Sequence, residues 1–294
     1  KRLILRNGSH DWCYTMVRDP VTHALVRDQD VDRQGYRPSR AFINGEYWGI
    51  YNIREKQDKH YVASHHGEDP DDLDILEYDG TEVNEGDSTN YFEFLNYADQ
   101  NDLSDPKHYA WVQERMDVAE FIEYVIIETF VSNYDWPGNN IQFWRPRRDG
   151  GLWRWTLYDT ESGYGNWGIS SSYDMIAHTT NSVGSAWPNG AWSTQLFRSL
   201  LDSEEFLHLF TNRYAEALST RFRAVETVEQ FEDYLAVITP EIQSHQARWG
   251  YSMSTHEYEV GVVRTFLDLT GILLWCKTLF LNGMTQHPQN IPDV

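Results

Sequence analysis

Cysteine and long apolar runs are both scarce in this sequence. Its two cysteines, Cys13 and Cys276, lie near opposite ends of the 294 residues and match no metal or redox spacing. We therefore expect buried free thiols and no disulfide framework. The most apolar run, residues 272–281, is too short for a membrane span and is interrupted by Lys277. We expect no membrane-spanning segment.

Basic residues are also few, because 24 Lys and Arg face 45 Asp and Glu, a formal net charge of −21. Such a field repels nucleic acids and anionic membranes and favours basic partners. A polyanion such as ATP would need local cations and a bound metal ion. The sequence also has neither an H-E-x-x-H nor a G-x-S-x-G motif, so zinc proteases and serine hydrolases lack their usual signatures.

Strand patterns crowd the first third of the chain. Alternating residues predict a strand at 1–6, and Asn44-Gly45 predicts a hairpin between 41–43 and 46–53. Helical periodicity dominates the rest. The predicted helices span 11–18, 21–27, 59–66, 89–99, 106–116, 118–132, 173–178, 194–201, 204–222, 225–249 and 256–269.

These patterns indicate an α+β fold. We expect a single domain, 1–294, with a strand-rich lobe at about 1–80 and a helical lobe at about 87–294. Asp117, with Glu120 three residues later, predicts a capping box at the start of the buried helix 118–132.

The richest chemistry lies between Asn133 and Glu161. Two strand patterns, 141–145 and 152–158, flank a glycine-containing turn, so a hairpin should return Asp159 to the side of Asn140. Asn140 follows Asp135 by five positions, as in the protein-kinase catalytic loop. Asp135 then fits a catalytic aspartate, and Asn140 and Asp159 fit Mg²⁺ ligands.

Other interpretations of this stretch stay open. Asn, Asp, Gly and Pro are turn residues in any protein, so the loop by itself is also typical of an ordinary turn. Asn139 and Glu161 are possible substitutes as metal ligands. Arg54 and Lys56, which follow a strand, are candidate phosphate-binding cations for a nucleotide, with an exposed strand end as the alternative.

Two further segments favour structural interpretations. Residues 163–168 fit G-x-G-x-x-G, but no helix pattern follows them, so we predict a flexible loop and no dinucleotide site. Residues 245–249 lie in a long predicted helix and are expected to pack against the other lobe.

Taken together, five segments resemble the CotH family of spore-coat-type atypical protein kinases. They are RLILRNGSHD, RPSRAFINGEYWGIYNIREK, NYDWPGNNIQFWR, WRWTLYDTESGYG and HQARW, in this order over nearly the whole chain. The resemblance implies a divergent protein-kinase-like fold that binds ATP and Mg²⁺ and phosphorylates Ser or Thr of proteins, typically basic, Ser-rich coat proteins. It also suggests a spore-surface or secreted location.

Two site residues carry over from the family motifs. Asp135 in NYDW matches the catalytic aspartate, and Asp159 in YDTE matches the metal-binding aspartate. The sequence departs from the family where Glu161 replaces a second Asp found in many members, and the segment after Leu269 is atypical. Further strands usually precede RLILRNGS, so we expect the chain to be a piece of a longer protein.

The sequence therefore predicts a Mg²⁺-dependent protein Ser/Thr kinase. A rival of another class is a secreted, non-catalytic module that binds a polysaccharide or a protein through an aromatic surface, since 15% of the residues are aromatic. A glycosidase that uses two of the many carboxylates has no signature beyond acidity.

Overall fold

The computed structural model describes residues 2–185 and 187–286, with side chains up to residue 269. It shows a mixed α/β chain with two antiparallel sheets. The strands are β1 (Leu3–Arg6), β2 (Tyr36–Ile43), β3 (Glu46–Glu55), β4 (Leu73–Glu77), β5 (Glu82–Glu85), β6 (Gln142–Pro146) and β7 (Arg154–Thr156). The helices are α1 (Arg18–Leu25), α2 (Lys59–His66), α3 (Thr89–Gln100), α4 (Pro106–Gln113), α5 (Val118–Phe130), α6 (Met175–Thr180), α7 (Ala191–Leu201), α8 (Glu204–Ser219), α9 (Ala224–Trp249) and α10 (Met253–Gln286).

The first sheet has the strand order β1-β3-β2. Its hairpin β2–β3 is the predicted one, and Asn44 and Gly45 both have positive φ, 51° and 84°, as a two-residue turn of this hand requires. β1 pairs with β3 so that Ile4 lies opposite Arg54. Arg6 lies opposite Asn52, two positions from Arg54, so Arg6 and Arg54 lie on the same face of the sheet.

The second sheet has the order β5-β4-β6-β7 and combines strands from distant parts of the chain. The predicted hairpin β6–β7 is confirmed, with Gln142 opposite Thr156 and Trp144 opposite Arg154. Because β4 pairs with β6, the region before residue 85 and the helical region share this sheet. Strands are thus not confined to the first third of the chain.

Helix α5 runs through the largest core cluster and is almost fully buried. Asp117 caps it, since its side chain accepts a hydrogen bond from the Glu120 N–H at 3.1 Å. The second hydrogen bond of the predicted capping box, from the Asp117 N–H to the Glu120 side chain, is wrong. Glu120 is buried and its Oε2 instead accepts from the Trp155 N–H at 3.0 Å, which fixes α5 against β7.

The predicted helices at 11–18 and 21–27 are wrong in their boundaries. A short 3₁₀ turn spans Ser9–Asp11, and one helix, α1, runs through the position of Pro20. Pro20 lies in the first turn of α1, where its missing N–H costs no intrahelical hydrogen bond. Proline at this place therefore does not separate two helices.

Helix α9 packs against the first sheet through the predicted segment 245–249. His245 Nδ1 accepts from the Ile50 N–H at 3.1 Å, and Trp249 Nε1 donates to the Trp48 carbonyl at 3.1 Å. Gln246 Nε2 donates to the Cys13 carbonyl at 3.0 Å. These contacts hold the sheet that carries Arg6 and Arg54 onto the helices.

In the part of the chain that the structure describes, Cys13 is a half-buried free thiol. The side chain of Cys276 lies outside the described residues. Over the same residues, no helix combines the length and the apolar character that a membrane crossing needs.

Candidate active site

The loop that follows α5 is anchored at its base by side chains of the helix. Asn133 Nδ2 donates to Glu128 Oε2 at 2.8 Å, and Trp136 Nε1 donates to the Tyr124 hydroxyl at 2.8 Å. All four side chains are buried. The buried helix therefore supports residues 133–140 directly, which fixes the position of Asp135 between these two anchors.

A second set of contacts holds the loop from the opposite side. Asn189 Oδ1 accepts from the Gly138 N–H at 2.7 Å, while its Nδ2 donates to the Tyr134 carbonyl at 3.1 Å. His178 Nε2 donates to the Trp136 carbonyl at 3.0 Å. Sequence reasoning did not find Asn189, because its contacts cross 51 or more positions of an irregular segment.

Asn140 links the two aspartates of the predicted site. Its Nδ2 donates to Oδ2 of Asp135 and to the main-chain carbonyl of Asp159, at 3.1 Å each. Asn140 and Asp159 have positive φ values of 54° and 56°, which Asn and Asp tolerate better than most residues. The structure thus brings Asp135, Asn140 and Asp159 together, whereas Asn139 is exposed.

The surroundings of Asp135 make its carboxylate more basic. It is buried, and its Oδ1 has no well-aligned hydrogen bond within the described residues. Burial raises the pKa of Asp135 above its ordinary value and the charge of Asp159 adds to this, while the nearby polar side chains of Ser162 and Asn139 oppose it. A carboxylate with a raised pKa accepts a proton more readily than an ordinary one.

Arg6, at the end of β1, is the cation nearest to these carboxylates. Its Nη2 donates to Asp159 Oδ1 and to both oxygens of Glu161, the latter at 2.8 and 2.9 Å. Its Nη1 lies 3.2 Å from Asp19 Oδ2. Burial by itself would lower the pKa of Arg6. The negative charges of Asp19, Glu161 and Asp159 together have the larger effect and raise the pKa.

Sequence reasoning missed Arg6, although a signal was present. Arg54 and Lys56 were candidates because they lie at the end of a strand. Arg6 is also a cation at the end of a strand, since it is the last residue of β1. What the sequence alone does not give is the pairing of β1 with β3, which places Arg6 beside the segment after Asp159.

Arg54 lies in the same ion-pair cluster, which we define as Arg6, Arg54, Asp19, Asp159 and Glu161. Its Nη1 is 2.9 Å from Asp19 Oδ2, its side chain is fully buried, and none of its guanidinium nitrogens has a well-aligned hydrogen bond to the described residues. Burial lowers the pKa of Arg54, with Asp19 opposing. Lys56 is exposed beyond the end of β3, outside this cluster.

Asp19 connects the two arginines to the segment after β7. Its Oδ1 accepts from the Thr160 N–H at 3.0 Å, and the charge of Arg54, with contributions from His23 and Arg6, holds its pKa well below the ordinary value despite burial. Asp19 on α1 therefore fixes the backbone between Asp159 and Glu161.

Negative charge exceeds positive charge around the ion-pair cluster. Glu128 lies beneath the loop, where burial and the charges of Asp135, Asp19 and Asp159 raise its pKa. Burial likewise raises the pKa of Glu161, with Asp159 adding to the effect and Arg6 opposing it. A site with this balance favours additional cations.

The donor set fits Mg²⁺ in part. Among the described residues, no three or more His, Cys, Asp or Glu side chains are already grouped as a metal site. Mg²⁺ is usually held by one or two carboxylates together with substrate phosphates and water, so a larger group is not required. The partly exposed carboxylate of Asp159 and the side-chain oxygen of the adjacent Asn140 are hard oxygen donors, and the excess of carboxylates also suits a divalent cation.

The segment after Asp159 is a loop, as predicted for residues 163–168. A 3₁₀ turn spans Asn166–Gly168, and Asn166 Nδ2 donates to the Glu161 carbonyl at 2.8 Å. Tyr164 is buried, and its N–H donates to the Val131 carbonyl at 2.7 Å. The loop is thus held to the end of α5 and keeps Glu161 in place.

Comparison with known proteins adds the family. Among curated proteins, none matches this sequence significantly. A family model described as CotH kinase protein matches residues 1–270, which is most of the chain. The chain therefore belongs to the CotH family.

Proposed function

We propose that this chain is a Mg²⁺-dependent atypical protein kinase that transfers the γ-phosphate of ATP to Ser or Thr of protein substrates. The observation that carries the proposal is the double hydrogen bond of Asn140 to Asp135 and to Asp159, at 3.1 Å each. It links an aspartate, an asparagine and a second aspartate, the residue types that protein kinases use for phosphoryl transfer. Membership of a family described as kinases supports the assignment.

Asp135 is the proposed catalytic residue. The hydroxyl oxygen of the substrate attacks the γ-phosphorus, its proton passes to Asp135, and the bond between the γ-phosphorus and the bridging oxygen breaks, so that ADP leaves. The raised pKa of Asp135 favours this proton transfer. A general base in this role contributes about 10²- to 10⁴-fold to the rate.

Asp159 and Asn140 are the proposed ligands of Mg²⁺, with Glu161 close enough to assist. The metal ion, when bound with ATP, supplies positive charge against the phosphates. Asp19 and Thr160 hold the backbone of this segment in place. The side chains of the site thus orient the reacting groups, and positioning with charge neutralisation provides most of the catalysis.

Arg54 and Lys56 are the proposed phosphate-binding cations, and we add Arg6 to them. Arg6 already contacts Asp159 and Glu161, and the buried guanidinium of Arg54 lacks well-aligned hydrogen bonds to the described residues. Arg6 is 20% exposed and can donate to a phosphate, whereas Arg54 is fully buried beside Asp19 and would act on the phosphates through its charge, without direct contact. In this arrangement the first 80 residues supply both cations and Asp19, and the segment after β7 supplies Asp159 and Glu161.

The proposed substrates are basic, Ser-rich proteins, since a net charge of −21 attracts cationic partners and speeds their association. A spore-surface or secreted location, which the family suggests, belongs to the same proposal. Neither statement is needed for the chemistry at Asp135.

Nucleotide binding and phosphate transfer test the proposal. On the protein, we would measure the thermal shift with ATP and Mg²⁺ and the transfer of labelled phosphate to a basic, Ser-rich peptide. Asp135→Asn should keep nucleotide binding and lose transfer, whereas Asp159→Ala should lose both. Asp149→Asn, at the exposed β6–β7 turn, is the matched control and should behave as wild type.

A wild-type protein that neither binds ATP nor transfers phosphate would overturn the proposal. Binding of a polysaccharide without any nucleotide binding would favour the rival, a non-catalytic module with an aromatic surface.

A further inference from the structure

An apolar cavity of about 150 Å³ lies directly beneath the loop that carries Asp135. Its walls come from α3, α5, α7 and the 133–141 loop, and most of its lining is aromatic or aliphatic. No part of the proposed reaction uses it. It is separate from the ion-pair cluster, since none of those five residues lines it.

The burial of the lining side chains divides the cavity into a floor and a rim. The floor consists of Tyr124, Trp136 and Trp155, which are 0%, 3% and 1% exposed. The rim includes Asp79, Trp192 and Ser193, which are half-buried. The cavity is therefore entered past a carboxylate and ends against aromatic rings.

The floor is part of the support of the catalytic loop. Trp136 follows Asp135 in the chain, and its Nε1 donates to the Tyr124 hydroxyl at 2.8 Å. Pro137 also lines the cavity. A molecule seated on this floor would contact the two residues that follow Asp135.

The size and the chemistry of the cavity define its ligand. An apolar protein cavity of about this volume accommodates one benzene-sized ring. Asp79 at the rim has Oδ1 bonded to the Thr81 N–H and hydroxyl, at 3.0 and 2.5 Å, and no Lys or Arg of the described residues pairs with it. A positive charge on the outward end of the ligand would therefore be favoured.

We propose that this cavity is a binding site for a small aromatic amine, with the ring on the Tyr124–Trp136–Trp155 floor and the ammonium group near Asp79. The site is independent of the proposed kinase activity.

Three probes that share one ring and differ in charge test the site. Phenethylamine, 2-phenylethanol and 3-phenylpropionate would each be titrated into the protein by ligand-observed NMR. We expect phenethylamine to bind with a dissociation constant on the order of 1 mM, as suits so few heavy atoms. It should bind about fivefold or more tightly than 3-phenylpropionate at low salt.

Two variants locate the binding. Asp79→Asn should remove most of the preference for the amine and leave 2-phenylethanol binding unchanged. Ser193→Phe adds a ring at the rim and should abolish binding of all three probes. Ser199→Phe makes the same change on α7 outside the cavity lining and is the matched control, which should bind as wild type.

Several outcomes would overturn the proposal. These are no binding of any probe to wild type, equal binding of the amine and the carboxylate, or loss of binding in both serine variants or in neither. Circular dichroism of the variants at the titration temperature ensures that lost binding is not lost folding. Since no readout is phosphate transfer, failure here and failure of the kinase proposal are distinguishable.

Discussion

The Arg6 guanidinium donates through one nitrogen, Nη2, to both carboxylate oxygens of Glu161, at 2.8 and 2.9 Å, across 155 positions of the sequence. The same nitrogen contacts Asp159, and Nη1 lies 3.2 Å from Asp19. One side chain from β1 thus neutralises carboxylates from α1 and from the segment after β7. Of the two cations in the ion-pair cluster, Arg6 is partly exposed and Arg54 is fully buried, so an anionic ligand that reaches the cluster would contact Arg6 and not Arg54.

Replacing Arg6 should therefore weaken nucleotide binding. A charge-assisted hydrogen bond contributes about 1.5–3 kcal/mol, so Arg6→Ala should raise the dissociation constant for ATP with Mg²⁺ roughly 10- to 100-fold. Arg6→Lys keeps the charge and should be intermediate. Isothermal titration calorimetry measures these constants.

Arg2→Ala is the matched control for this prediction. Arg2 lies just before β1, its side chain is 56% exposed, and it pairs with Asp58 away from the ion-pair cluster. It should bind ATP as wild type does. Wild-type affinity in Arg6→Ala would show that Arg6 is not a phosphate contact.

Local patterns predict most of the elements, because each depends on neighbours in the chain. Asn44-Gly45 specifies the β2–β3 turn, and Asp117 specifies the start of α5. The proximity of Asp135, Asn140 and Asp159 also follows locally, since only the β6–β7 hairpin separates them. Spacing and turn chemistry are sufficient for such contacts.

The remaining features depend on long-range contacts that no local pattern encodes. Arg6 reaches Asp159 only because β1 pairs with β3 and α9 holds that sheet in place. Glu120 does not complete the capping box, because its side chain accepts a hydrogen bond from the Trp155 N–H inside the core. A buried polar group takes whichever partner the tertiary structure provides, and that choice is not visible in the sequence.

Asn189 should position the catalytic loop without touching the reacting atoms. Asn189→Ala removes the acceptor of the buried Gly138 N–H and the donor to the partly buried Tyr134 carbonyl, at a cost of about 1–3 kcal/mol in the free energy of unfolding. Phosphate transfer should fall about tenfold or more, with ATP affinity nearly unchanged. Steady-state kinetics, binding calorimetry and urea unfolding separate these effects.

Asn189→Asp separates the effects of the two hydrogen bonds that Asn189 makes to the loop. It keeps the oxygen that accepts from Gly138 but loses the donor to Tyr134, so its activity should lie between those of wild type and Asn189→Ala. Equal loss of ATP affinity and of transfer rate would argue against a positioning role.

Gly138 should tolerate no side chain. A Cβ on Gly138 would lie 2.3 Å from the Pro188 carbonyl oxygen and 2.7 Å from the Asn189 Cα, so Gly138→Ala must push the loop away from its anchor. We expect a loss of unfolding free energy of about 1–3 kcal/mol and a fall in phosphate transfer. Thermal unfolding and the transfer assay measure both.

Gly261→Ala is the control for Gly138. A Cβ on Gly261, within α10, would meet no atom within 4 Å. Alanine favours a helix interior over glycine by roughly 0.5–1 kcal/mol, so this variant should be neutral or slightly stabilised. Equal thermal midpoints for the two variants would mean that the contact at Gly138 is relieved without cost.

His23 should make the fold less stable as the pH falls from 6.5 to 4. Burial lowers its pKa from 6.5 to about 4, with Arg54 and Arg6 adding to the effect and Asp19 opposing it. Between these values the unfolded chain binds a proton at His23 and the folded chain does not, so protonation favours unfolding. The loss reaches about 3 kcal/mol at pH 4, since one pKa unit corresponds to about 1.36 kcal/mol.

Urea unfolding of wild type and His23→Gln between pH 8 and 4 checks this prediction. Gln removes the titration and keeps an oxygen that can accept from the Gln34 N–H, which now bonds to His23 Nδ1 at 3.1 Å. The difference in unfolding free energy should be constant above pH 7.5 and should shift in favour of the variant as the pH falls. Asp19 stays ionised across this window, because its pKa is held well below its ordinary value. Parallel stability curves for the two proteins would show that the His23 imidazole titrates alike in the folded and unfolded chains.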